Sequence, residues 1–115
     1  MPSAPIQSPD VLQAAREFSR RVALGWPLHS ALLFGSQARG TAHLGSDTDV
    51  AVLLKGTGGD FVATKLALDD VAYDVLLASG VRIQPLPIWE DEWAHPAQYR
   101  NPRLLENIAR EGVAL

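Results

Sequence analysis

The chain has 115 residues, with ten Lys and Arg against thirteen Asp and Glu, a formal net charge of -3 and a 47% hydrophobic fraction. That length predicts a single domain over residues 1–115, and no apolar run approaches the roughly 18 to 20 residues of a membrane span, which excludes a membrane-crossing segment. The acid excess and lack of a basic cluster exclude a surface that tracks long DNA or RNA, while zero cysteines exclude a disulfide framework or thiolate metal site and fit a cytoplasmic protein.

Residues 1–7 read as a flexible arm, and Met-Pro-Ser-Ala-Pro-Ile lacks the basic-then-apolar order of a secretory signal. Ser8-Pro9-Asp10 combines an N-cap, a proline at the first helical position and an acid in the first turn. Val11, Ala14, Ala15, Phe18 and Val22 keep helical spacing, so a first helix is predicted over 9–24, closed by Gly25-Trp26-Pro27. A strand follows at 29–34, a short helix opens near Ser36, and a second strand covers 49–54. Lys55-Gly56-Thr57-Gly58-Gly59 is a turn. Asp60 caps a long helix through Ala78 that Gly80 stops. Residues 81–88 contain Pro85 and Pro87 and can be only an edge strand. Asn101-Pro102 starts a last helix that Gly112 ends. These elements predict an α/β (α+β) fold, a small sheet backed by helices, with no internal repeat.

Two features within this order carry chemistry. Asp47 and Asp49 stand one residue apart where the second strand begins, so their side chains share a face, with Cα atoms roughly 6 to 7 Å apart. Such a pair suits magnesium, which takes oxygen ligands from one or two carboxylates together with substrate phosphates. Gly35 and Ser36, at the end of the preceding strand, offer unhindered backbone N–H groups, a hydroxyl and a helix start, which suit a polyphosphate. Arg39, one turn on, either reaches a phosphate or pairs with a nearby acid on the surface. The bland alternative for Ser-Asp-Thr-Asp is turn and capping chemistry, and for Gly35-Ser36 an ordinary strand-to-helix turn.

Gly35-Ser36, ten intervening residues and Asp47-Thr48-Asp49 resemble the Gly-Ser-x10-Asp-x-Asp signature of the DNA polymerase β-like nucleotidyltransferase superfamily. Ala38-Arg39-Gly40 and Ser46 are similar to its minimal nucleotidyltransferase (MNT) branch, as are Trp93 and the closing Asn107 to Val113. The resemblance implies the polymerase β-like fold and transfer of AMP from magnesium-bound ATP, or of another nucleoside monophosphate from its triphosphate, to a hydroxyl. Asp47 and Asp49 would be the catalytic metal ligands, and Gly35, Ser36 and Arg39 would bind the nucleotide. It also implies a partner, because MNT proteins are commonly encoded beside a helical HEPN-type ribonuclease toxin and act as antitoxins by adenylylating it on a tyrosine. At 115 residues the chain is small for an enzyme enclosing both a nucleotide and an acceptor, so something else is expected to complete the site.

One departure matters. Polymerase β-like enzymes place a third carboxylate on a later strand, where this chain offers Gln84. Asp74 could replace it only if the long helix ended early, against the helical spacing of Val75-Leu76-Leu77. A catalytically weak or inactive nucleotide-binding module that neutralises a partner by contact is therefore the competing reading. A free-standing transferase on a small molecule would need a second domain that this chain lacks. His29, His43 and His95 have no metal-ligand spacing. Trp26, Trp89 and Trp93 read as core or interface aromatics, with the Trp89/Trp93 pair a candidate partner surface.

Overall fold

The computed structural model describes residues 9–40 and 47–115. In chain order the elements are α1 (Pro9–Gly25), β1 (Leu28–Phe34), α2 (Ser36–Arg39), β2 (Thr48–Leu54), α3 (Phe61–Ser79), β3 (Ile83–Trp89), α4 (Glu90–Ala94), a 3-10 turn (Pro96–Gln98), α5 (Pro102–Glu111) and β4 (Val113–Ala114). The arm at 1–7, the Ser8 cap, His43 and Ser46 lie outside the described residues. The strands form a four-stranded mixed sheet in the order β3-β2-β1-β4, with β1 antiparallel to β2 and β4, and β2 parallel to β3. The structure is thus the α/β arrangement that the sequence predicts.

Alternation along the strands sorts the core into two layers. Ala31, Leu33, Val50, Val52 and Leu54 pack with Phe18 and Val22 of α1 and Leu68, Ala72 and Val75 of α3. Ala51, Leu53 and Ile88 point the other way and pack with Leu105 and Ile108 of α5. A sheet covered on both faces needs apolar residues at every position, and β2 is buried along Val50–Leu54 for that reason.

Local chemistry sets the ends of these elements. Asp60 accepts a hydrogen bond from the Ala63 amide at 3.0 Å, and Gly80 closes α3 with φ 77° while donating to the Leu76 carbonyl. Asn101 caps α5 through the Leu104 amide. Pro85 and Pro87 sit two apart on the edge strand β3, so their missing N–H groups fall on one side of it. That side is the outer edge, where no ladder bond is lost. Besides the 3-10 turn, two elements escaped the sequence reading. Helix α4 spans five residues and is capped by Glu92, whose Oε1 accepts from the Trp89 amide at 3.0 Å; β4 is two residues beside β1. Of the tryptophans, Trp89 is 7% exposed in the core, and Trp26 and Trp93 are partly buried against the two core layers.

Candidate functional site

The sequence-predicted residues meet at one end of the sheet. Strand β1 ends at Phe34, whose Cα partner on β2 is Asp49. The chain then turns at Gly35 with φ 76° and ψ -155°, a conformation that L side chains rarely adopt. The contact explains the residue: a Cβ at Gly35 would collide with Asp49 Oδ2. The Gly-Ser turn and the carboxylate are therefore packed against each other, although twelve residues lie between Ser36 and Asp49 along the chain.

Helix α2 is a single turn. The Arg39 amide donates to the Gly35 carbonyl at 3.1 Å, and Gly40, at φ 74°, donates to the Ser36 carbonyl. What it brings to the site is the backbone and hydroxyl of Ser36, since one turn carries little macrodipole.

Thr48 fixes the direction of both acids. It is 1% exposed, and its amide donates to the Arg82 carbonyl at 2.9 Å. With Thr48 turned inward, alternation directs its neighbours to the opposite face, leaving Asp47 exposed and Asp49 half-buried. Burial pushes the Asp49 carboxyl above its ordinary value, the negative charge of Asp47 pushes it further, and Arg39 pulls it back.

Gln84 occupies the register position beside Asp49 on β3. In parallel pairing the two side chains share a face, so the amide stands where the third acid would be expected. Asp74 does not take its place: α3 continues to Ser79 and carries Asp74 exposed to solvent. Among the described residues no three His, Cys, Asp or Glu side chains gather into a metal-binding group. Two mutually repelling carboxylates beside an amide oxygen are nevertheless a hard-oxygen donor set of the kind magnesium accepts.

Arg39 Nη1 lies 3.3 Å from Glu111 Oε1 at the end of α5. The surface-pair alternative for Arg39 is therefore realised, while its side chain remains 48% exposed. Glu111 itself was not legible as a site neighbour, because only the return of α5 to α2 brings it there. His29 stands beside Ser30 and Glu90, and His95 beside the Asp91 carbonyl.

The sequence matches the family model described as "Nucleotidyltransferase domain" over residues 14–113. No curated protein matches it. Among solved structures, a Sulfolobus solfataricus protein assigned provisionally as a nucleotidyltransferase is similar at TM-score 0.54 and 18% identity, over 96% of this chain and 90% of that one. A toxin–antitoxin with AMP-PNP is similar at TM-score 0.56 and 20% identity, over 91% and 68%. A mutant of the toxin–antitoxin MntA-HpeT is similar at TM-score 0.55 and 19% identity, over 96% and 72%. At such identities the likeness is one of fold. The family match spans nearly the whole chain, from within α1 to the first residue of β4, and the chain belongs to the nucleotidyltransferase domain family.

Proposed function

We propose that this single-domain chain is a cytoplasmic nucleotidyltransferase that moves AMP from magnesium-bound ATP to a protein hydroxyl, as the antitoxin of a HEPN-type ribonuclease toxin. The observation that carries the reading is the packing of Asp49 against Gly35, which joins the carboxylate pair and the Gly-Ser turn in one site. The family match supports a transferase, and the toxin–antitoxin neighbours support the acceptor class.

In this reading Asp47 and Asp49 hold the cation, and Gln84 contributes an uncharged oxygen from β3. Magnesium bound there supplies positive charge to the triphosphate and the departing pyrophosphate. The Gly35-Ser36 backbone lies close to the phosphates because no Cβ intervenes, the Ser36 hydroxyl donates to a phosphate oxygen, and Arg39 adds charge from α2. The acceptor hydroxyl gives up its proton to solvent as its oxygen bonds to the α-phosphorus, the bond from that phosphorus to the bridging oxygen breaks, and pyrophosphate leaves. The acceptor comes from the partner.

Gln84 favours a second reading, a nucleotide-binding module with little or no turnover. Titration calorimetry and labelled ATP separate the two. The transferase reading expects magnesium-dependent ATP binding that Asp47→Asn or Asp49→Asn abolishes in a folded chain, labelling of the co-encoded protein, and faster labelling by Gln84→Glu. Binding without labelling, in wild type and Gln84→Glu alike, selects the module. ATP affinity that neither asparagine variant changes overturns both.

A further inference from the structure

Helix α3 is apolar on two faces. Leu68, Ala72 and Val75 are buried against the sheet and α1, whereas Val62, Leu66, Tyr73 and Leu77 are 58% to 69% exposed. Their spacing of i, i+4, i+11 and i+15 places the exposed four along one stripe. At about 100° per residue, that stripe lies roughly 140° around the helix from the buried face. Two exposed apolar pairs, Val62 with Leu66 and Tyr73 with Leu77, aligned on one helix face and separated by Asp69 and Asp70, differ from a lone exposed side chain such as Leu24 at the end of α1, and such a face suits association.

The charges beside the stripe decide what can cover it. Asp69, Asp70 and Asp74 border it, and the nearby Lys65 is committed to Asp69, with Nζ 2.6 Å from Oδ1. In an antiparallel pairing of two copies about Asp69 and Asp70, Val62 would face Leu77 and Leu66 would face Tyr73. The same pairing sets the acids of one copy against those of the other, which disfavours a self-dimer. An apolar stripe rimmed by lysine or arginine meets both demands.

The stripe also adjoins the start of the edge strand β3, whose Gln84 is paired with Asp49. Asp69 and Tyr73 line a cavity of about 260 Å³ together with Arg82 and Gln84, and Gln84 is the register partner of Asp49. We propose that the exposed face of α3 is the docking surface for the acceptor protein, a helical partner that presents an apolar stripe bordered by basic side chains. This inference rests on the reading above that the acceptor is a protein.

The test measures two affinities of the full chain, one for the product of the adjoining reading frame and one for magnesium-ATP. Leu66→Asp and Tyr73→Asp, both on the exposed face, are expected to weaken partner binding at least tenfold and to leave ATP affinity unchanged. Leu24→Asp, the control, should change neither. Wild-type association should slow as salt rises, and Asp70→Lys with Asp74→Lys should weaken binding and flatten that dependence. Partner affinity indifferent to both α3 variants, or strengthened by the lysines, overturns the proposal while leaving the transferase reading intact. So does a wild-type dimer in sedimentation that Leu66→Asp dissolves, which would give the surface to a second copy. Failure of the wild type to bind the partner overturns it as well. Loss of ATP binding in the wild type, with partner binding still dependent on Leu66 and Tyr73, would instead sink the transferase reading and retain the docking surface.

Discussion

Asp49 is held where the fold disfavours its charge relative to the free chain. Burial and the Asp47 carboxylate both raise its pKa, and only Arg39 opposes them. An acid whose folded pKa exceeds its unfolded value stabilises the fold while protonated. That stability is present below the unfolded pKa and is lost as pH rises through the raised folded value. Asp49→Asn is therefore expected to raise the melting temperature of the ligand-free chain at pH 7, with the gain vanishing near pH 3. Magnesium-ATP should stabilise the wild type and not the variant. Scanning calorimetry across that pH range checks it, and an Asp49→Asn melting temperature at or below wild type at pH 7 contradicts the account. The shared face of the carboxylate pair and the turn at Gly35 were legible because each depends on local spacing, alternation around Thr48 and a turn that favours glycine, whereas Gln84 drew notice only through the family pattern, since its register beside Asp49 is set between strands far apart in sequence.

Elements beyond that local range were legible only in part. Long helices announced both ends, α3 through Asp60 and Gly80, and α5 through Asn101 and Gly112, since capping is written in adjacent residues. Helix α4 was missed because five residues show little periodicity; its one signal is Glu92, three residues after Trp89. Strand β4 was missed because two residues acquire meaning only beside β1. The tie between α2 and α5, Arg39 to Glu111, is nonlocal in the same way. It predicts a competition, because a guanidinium engaged by Glu111 is less available to a phosphate. Glu111→Gln should tighten magnesium-ATP binding while changing stability by less than about 1 kcal/mol, as an exposed pair allows. Arg39→Ala should weaken that binding. Equal ATP affinity for both variants and the wild type would make the pair purely structural.

Across the whole molecule the two faces of the sheet have different tasks. The face under α1 and α3 holds the larger core layer, whereas Ala51 and Ile88, under α5, share strand parity and therefore a face with Asp49 and Gln84. Glu111 at the end of α5 reaches Arg39 from that same side. A cavity in the first layer should therefore cost stability alone, while one beneath α5 should also move the site. Leu68 and Ile108 make the comparison fair, since they are 0% and 1% exposed and each sits on a helix facing the sheet. Leu68→Ala and Ile108→Ala should each lose about 2 to 5 kcal/mol, read from denaturant unfolding. At temperatures where both remain folded, Leu68→Ala should bind magnesium-ATP like wild type, and Ile108→Ala should bind it more weakly. Equal loss of affinity in the two variants would mean that the site responds to stability as a whole, and that the α5 layer holds no special position beneath the carboxylates.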